Sequence, residues 1–521
     1  MKKWIFFALL ISSITSTGQP GFNKTYGFEE EQITGSAFVN VLLDNDTLVL
    51  FGTCFPPVGP PGQQALLFVK MDTLGNVLLQ KFYPDPDMDK YAASPNFEII
   101  KTLDSGYMLT GTNINSGYGI LVKLSFNGEI EFYRKYDPAP DLTHRPRKVL
   151  EVEDGYLISG HKSIQNYDIQ VFLMKVDKQG NFLWEKTYGQ PGVVDVMNSL
   201  VKISDNHFAI GAAKSKGLGE PPYSTSDTWS KGWLIQVDSL GNIISTQESP
   251  ANTQAGLSGL KKMPDGWLFA AVEFKILNQF EWGARSKIVR TGVDISNVVW
   301  EKYISATTRA GNTTIDIKPT PDGNWVAVGQ WATPIPPPPS TSPNYLGGST
   351  FKFTSDGDSL WARLDTAFWH PDCGSENYLG GVAVLPSGSI IAAGYANTNC
   401  YPPTVRSWGW VLKISKDGCI DTLLCSGITP VKEVQTHPVE VKAWPNPATT
   451  HVDFFFQNPA GGRHRQLLIT DLAGRPVQSF EIPEGETNLR WNTEELLPGV
   501  YFYQWITNGK TLKTGKILLT K

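Results

Sequence analysis

The chain has 521 residues, 41% apolar and 18% charged, with 45 basic against 50 acidic side chains and a formal net charge of −5. A protein that binds nucleic acid by neutralising phosphates carries a basic excess, so that class is excluded. Forty-nine Gly, 36 Pro and 12% aromatic residues point to a loop-rich, all-β protein, and the length calls for several units or a repeat architecture.

At the N-terminus Lys2-Lys3 precede the apolar run Trp4 to Ile11 and the small residues ending Ser16-Thr17-Gly18. This is the pattern of a secretory signal peptide over residues 1–18, and the run is too short to span a bilayer. No later segment approaches about 18 apolar residues, so no transmembrane segment is expected in the mature chain. In an exported protein paired cysteines oxidise. Cys373 and Cys400 flank an expected hairpin, and Cys419 and Cys425 enclose five residues; both pairs are expected as disulfides, with Cys54 buried as the odd one. No zinc-type spacing is present, and no metal or other cofactor is expected.

Two turn signals then recur down the chain. One closes an apolar strand, as in Val69 to Asn76, Val122 to Gly128, Met174 to Asn181 and Ile235 to Asn242, with turn glycines 53, 52 and 61 residues apart. It returns in degenerate form near Ile288 to Asn297 and around Gly357 and Gly418. The other precedes it, at Asp44-Asn45-Asp46, Asp104-Ser105-Gly106, Asp154-Gly155, Asp205-Asn206, Asp265-Gly266, Asp322-Gly323 and Ser387-Gly388. Such dipeptides between β-branched and aromatic residues mark hairpins. A small residue follows each (Gly52, Gly111, Gly160, Gly211, Ala271, Gly329, Gly394), as expected where strands crowd near an axis. Two hairpins per repeat and seven repeats predict a seven-bladed β-propeller over residues 19–426.

Several repeats end in an aromatic-x-Lys/Arg-x-Tyr strand, such as Phe132 to Tyr136, Trp184 to Tyr188 and Trp300 to Tyr303. The last repeat lacks it, whereas Phe22-Asn23-Lys24-Thr25-Tyr26 supplies a copy at the other end of the chain. The N-terminal strand is therefore expected to complete the final blade and remove a free sheet edge. These motifs resemble the propeller-type repeats of secreted Bacteroidetes proteins, a resemblance that implies fold and not function.

Residues 427–440 read as a polar linker. Residues 441–521 show short strands with turn signals between them, which predicts a small Ig-like β-sandwich. The Pro445-Asn446-Pro447 opening, the Asp471 to Val477 turn with Gly474, the Gly499-Val500-Tyr501 strand and the terminal Gly515-Lys516-Ile517 resemble the type A C-terminal sorting domain of type IX secretion substrates. That resemblance implies the type IX machinery as a partner, and a secreted product that is extracellular or attached to the outer-membrane surface.

Antiparallel strand order places the two tight turns of each repeat on one face and the variable loops on the other. The variable loops carry Tyr223, Trp229, Trp282, Trp331, Tyr345, Trp369, Tyr401 and Trp408, which could stack on a glycan or grip a peptide, or could pack the loops on themselves. Catalytic signals are thin. HExxH and GxSxG are missing, His370 is a lone loop histidine, and Asp85-Pro86-Asp87-Met88-Asp89 departs from a calcium loop at Lys90 and Asn96. No catalytic residue is assigned. The expectation is a non-catalytic binding module for a glycan or surface protein, the alternative a carbohydrate-active enzyme with its active site at the propeller mouth.

Overall fold

The computed structural model describes residues 21–28, 35–55, 64–85, 91–92, 97–113, 116–136, 143–165, 168–214, 231–249, 255–278, 281–305, 312–332, 345–368, 375–398, 406–420, 440–457, 465–471, 475–483, 486–507 and 510–520. Among them the regular structure is all β-strand, with no helix. The chain divides into two compact units between Val431 and Lys432.

The first unit repeats one motif, four strands paired antiparallel in chain order. The first set is Ser36–Asp44, Thr47–Cys54, Ala65–Asp72 and Val77–Pro84. In the second set the inner strand is split into Tyr91–Ala92 and Ile99–Lys101, both paired with Tyr107–Asn113, and further sets begin with the strands Thr143–Val152, Asp195–Ser204, Ala255–Met263, Thr313–Pro319 and Ser375–Val384. The sixth and seventh sets merge into one eight-stranded sheet through a short parallel contact of Tyr345-Leu346 with Ser375-Glu376. The seventh takes its outer strand from the N-terminus, where Phe22–Tyr26 pairs antiparallel with Arg406–Ile414 from Phe22↔Lys413 to Tyr26↔Gly409, as its sequence signature predicts.

Middle strands such as Tyr107–Asn113 and Gly119–Leu124 are buried along their whole length. They lose the in-out alternation of a one-sided sheet because each sheet is packed on both faces. Apolar clusters fill the spaces between consecutive sets, for example Leu157, Val171 and Leu173 against Phe208, Ile210 and Ile235. One cluster joins Phe38, Leu48 and Leu67 of the first set to Ala383, Ile391 and Val411 of the seventh, closing the circle.

The small residue of the second strand has a local cause. Inner strands skip one residue in their register, at Val39, Arg147, Asn198, Ile315 and Gly380. Opposite these bulges stand Gly52, Gly160, Gly329 and Gly394, where a Cβ would collide with the carbonyl of Ala37, Arg145, Thr313 or Tyr378. At these four positions the bulge and not crowding between sets excludes a side chain, whereas at Gly211 a Cβ would meet the Leu257 carbonyl of the next set's inner strand at 2.9 Å. The bulge tips a carbonyl into the space a side chain would need. At Gly111, where the inner strand is interrupted, the nearest atom to such a Cβ is Leu66 Cδ2 at 3.7 Å.

The two remaining signatures interlock. In the Asp-x-x-Gly-Asn turn, Asp238 Oδ1 accepts from the amides of Leu240 and Asn242 at 2.9 and 2.8 Å, and Asn242 Nδ2 donates to Asp238 Oδ2 at 2.9 Å. Gly241 sits at φ +75°, a region that favours glycine. The outer-strand tyrosine of the preceding set donates its hydroxyl to that glycine's carbonyl: Tyr83 to Gly128, Tyr136 to Gly180 and Tyr188 to Gly241, each at 2.7 Å.

In the second unit a three-stranded sheet (Glu440–Trp444, His451–Gln457, Asn488–Asn492) and a four-stranded sheet (Arg465–Thr470, Pro476–Glu481, Gly499–Thr507, Lys510–Leu519) share one core of Val452, Phe454, Phe456, Leu467, Trp505 and Ile517. The motif residues meet there. Asn446 Nδ2 donates to the Lys516 carbonyl at 2.8 Å, and Leu518 N donates to Asn446 Oδ1 at 2.9 Å. Gly515 makes room for the Tyr503 ring, and Tyr501 Oη donates to the Leu497 carbonyl at 2.9 Å. Gly474 lies outside the described residues.

Candidate functional site

Each inner strand lies beside the next, and the last beside the first, and each runs from the variable-loop end to the tight-turn end, so their inward side chains meet at an axis. Lys148 of the third set acts electrostatically on Lys261 of the fifth and Asp316 of the sixth, and Arg147 on Tyr378 of the seventh. These sets are not neighbours, so the interactions cross the axial channel.

The channel carboxylates hold adjacent strands together. Glu98 Oε2 accepts from the amide of Val149 at 3.3 Å, with Lys148 Nζ 3.5 Å from Oε1. Asp316 accepts from the amides of Ile317 at 2.9 Å and Val382 at 3.4 Å, with Lys318 Nζ 3.8 Å away. The uncharged Asn40 and Ser199 do the same, donating to the carbonyls of Phe97 at 3.4 Å and Leu257 at 2.7 Å. Burial would raise the Asp316 carboxyl, but Lys318, Lys261 and Lys148 outweigh it and hold it below its ordinary value. Asp316 is therefore an anion and not a general acid. The side chains of Asp316 and Lys318 remain 17% and 43% exposed, so water reaches the channel.

Toward the variable-loop end, the sixth and seventh sets assemble a second polar cluster. Glu376 Oε1 accepts from Tyr395 Oη at 3.2 Å and Gln330 Nε2 at 3.3 Å, and its Oε2 from Asn397 Nδ2 at 3.5 Å. Tyr378 and Tyr395 stack at 5.3 Å, 8° from parallel. Among the described residues Asn397 Oδ1 and Trp331 Nε1 are buried without a hydrogen-bond partner, and buried polar atoms normally have one.

The aromatics singled out from sequence fall unevenly. Trp331 is half-buried against the cluster containing Leu268, Ile288 and Phe351, and Trp408 tilts against Phe368 at 4.6 Å. For these two, packing of the loop ends on themselves is the arrangement observed. Trp282 and Tyr345 lie on strands opposite Ile276 and Ser375, with only their backbones described. Tyr223, Trp229, Trp369 and Tyr401 lie outside the described residues, as do His370, Cys373, Cys400 and Cys425. Cys54 and Cys419 are buried. Asp85, the first residue of the calcium-like stretch, accepts from Asn113 Nδ2 at 3.2 Å, Tyr133 Oη at 2.9 Å and Lys135 Nζ at 3.1 Å, which is a structural role.

Sequence reasoning missed the channel residues, although a signal existed. Glu98, Lys148 and Asp316 each stand six residues before the aspartate of their tight turn. An open cleft of about 930 Å³ lies on the opposite, tight-turn face, lined by Glu151, Asp154, Lys175, Lys202, Trp184 and Asp205 among others. Most of its charges are paired, Lys202 with Asp205 at 2.7 Å, Lys175 with Asp154 and Glu151 with Lys178 at 2.7 Å.

Residues 442–520 match the family described as the secretion system C-terminal sorting domain. No curated protein matches the chain. Among solved structures, the chain is similar to the β-propeller domain of the Trilobed protease from Pyrococcus furiosus at 7% identity and TM-score 0.34, covering 72% of this chain and 95% of that one. It is likewise similar to an apocarotenoid oxygenase of Synechocystis (12% identity, TM-score 0.38, 75% and 94% covered). A third is an alpha-L-arabinofuranosidase of Fusarium graminearum in complex with arabinobiose (11%, TM-score 0.35, 75% and 97%). At such identities nothing of their activities transfers. The sorting domain implies the type IX secretion machinery and export to the cell surface or extracellular space.

Proposed function

We propose that this protein is an exported seven-bladed β-propeller that binds a glycan or protein at its variable-loop face without catalysing a reaction. In this reading residues 1–18 are a signal peptide, 19–426 the propeller, 427–440 a linker and 441–521 an Ig-like sorting domain. Disulfides join Cys373 to Cys400 and Cys419 to Cys425, and peptide mapping without reduction tests them.

The observation that carries the reading is the Glu376 cluster. A carboxylate fixed by Tyr395, Gln330 and Asn397, beside Asn397 Oδ1 and Trp331 Nε1, which have no partner among the described residues, is a preorganised polar set for hydroxyls or amides. Glycoside hydrolysis needs two carboxyl groups about 5 to 9.5 Å apart, one of them protonated. Among the described residues Glu376 is the one carboxylate of this cluster, and Glu98 and Asp316 are engaged with strand amides and lysines.

The test is a glycan array and a polysaccharide-depolymerisation assay on the full chain and its Glu376→Gln variant. Retention without product release, lost in the variant, is the expected result. Product release by the parent chain makes the carbohydrate-active enzyme the better reading, and equal retention by both proteins removes Glu376 from the site.

A further inference from the structure

The cleft of about 930 Å³ on the tight-turn face is built by three consecutive sets, the second, third and fourth. Its floor is the outer layer of an apolar core, with Leu157 and Phe208 buried and Trp184 half-buried. Leu103, Leu183 and Leu240, one from each set, line it while 85%, 50% and 62% exposed. The outer strands beside it open on Phe182-Leu183 and Ile243-Ile244, all at least half exposed. Single exposed apolar residues are ordinary, but several gathered around one cleft mark an interaction surface.

The walls are fixed in advance. Leu103 N donates to Glu151 Oε2 of the third set at 2.7 Å, and Leu240 N to Asp238 Oδ1 at 2.9 Å. Lys178 Nζ holds Glu151 Oε1 at 2.7 Å and also donates to the Val152 carbonyl at 2.9 Å. Such preorganisation lowers the ordering entropy lost on binding. The charges then select the occupant. Each lysine of the lining has a carboxylate, Lys101 with Asp44, Lys175 with Asp154 and Lys202 with Asp205, and Glu151 has Lys178. Glu153 is left over, exposed on its turn and with no hydrogen bond or ion pair among the described residues. An incoming cation gains the free carboxylate, whereas an anion meets Glu153, Asp154 and Asp205, all exposed.

We propose that this cleft docks an extended segment of a partner protein in which a lysine or arginine lies between apolar residues, the apolar side chains resting on Trp184 and the three leucines and the cation against Glu153. The cleft is open and its apolar lining extends over three sets, which suits a segment of several residues better than a small ligand that has to be enclosed. It lies on the face opposite the Glu376 cluster and does not rest on the loop-face reading.

The experiment is fluorescence polarisation of two labelled peptide amides, Gly-Leu-Lys-Leu-Gly and Gly-Leu-Glu-Leu-Gly, titrated with the purified full chain. Saturable binding of the lysine peptide is expected, at least about fivefold tighter than that of the glutamate peptide. Leu183→Asp should weaken it at least about tenfold, Glu153→Lys should reverse the preference between the peptides, and Lys416→Gln in the seventh set should leave both unchanged. Leu183 and Glu153 are exposed, so these variants keep the fold. No saturable binding, equal affinity for the two peptides, or an unreversed preference in Glu153→Lys overturns the proposal. Dimerisation of the parent chain in sedimentation, abolished by Leu183→Asp, would assign the cleft to a second copy and overturn it as well. A failed Glu376→Gln test would leave it intact.

Discussion

The hydroxyl of Tyr26 donates to the carbonyl of Gly75 at 2.9 Å, joining residues 49 apart in sequence. Tyr26 ends the N-terminal strand that completes the seventh sheet, and Gly75 belongs to a turn of the first. The contact is the same outer-strand clasp that fastens Tyr83 to Gly128, Tyr136 to Gly180 and Tyr188 to Gly241. The circle is thus fastened at its seam by the device used elsewhere around it.

The clasp predicts a graded response. Tyr188→Phe leaves the ring packed and removes one hydrogen bond, a loss of about 1 kcal/mol. Gly241→Ala should be worse, because it places a Cβ at φ +75° and 2.9 Å from the Trp184 ring. Chemical denaturation of both variants checks the order, and equal stability would remove the clasp from the account.

The bulge explanation predicts opposite signs at two similar glycines. Gly394→Ala drives a Cβ into the Tyr378 carbonyl and should destabilise by roughly 1–3 kcal/mol or more. Gly111→Ala meets nothing closer than 3.7 Å and should be neutral or slightly stabilising through the unfolded chain. Denaturant midpoints separate the cases.

Acid should weaken the first unit before its carboxylates titrate. Burial, then Arg147, Arg145 and His144, hold the His161 imidazole well below its ordinary value. The unfolded chain therefore takes up that proton first. Stability is full above about pH 6.5 and declines as pH falls below it. Glu185, held down by His144 and Lys162 against its burial, adds its loss at lower pH. Melting temperatures at about pH 7 and 5 should differ less in His161→Leu than in the parent chain.

In the sorting domain, Asn446→Ala deletes both hydrogen bonds to the final strand, 2.8 Å to the Lys516 carbonyl and 2.9 Å from Leu518 N. The expected outcome is a less stable second unit and protein retained inside the cell envelope. Fractionation of cells expressing the variant measures it, and normal surface delivery would mean that this docking is dispensable for export.

Much of the fold was legible in the sequence because its determinants are short-range. An Asp-x-x-Gly-Asn turn closes on its own backbone within five residues, and an apolar strand reports burial whichever sheet covers it. The unpaired final repeat and its displaced copy at Phe22 to Tyr26 could be matched by eye for the same reason. The reason for Gly160 or Gly394 could not, since a bulge is visible only once two strands are in register.

The sequence by itself determined the strands, the turns, their repetition and the sorting motif, each written in contiguous residues and in hydrogen bonds that local spacing sets. Only the tertiary structure decided which side chains share a site. Lys148, Lys261 and Asp316 belong to three separate repeats, and Glu376 meets Gln330 across two sheets. Closure of the circle brings them together, and no local pattern along the chain encodes the distances across an axis.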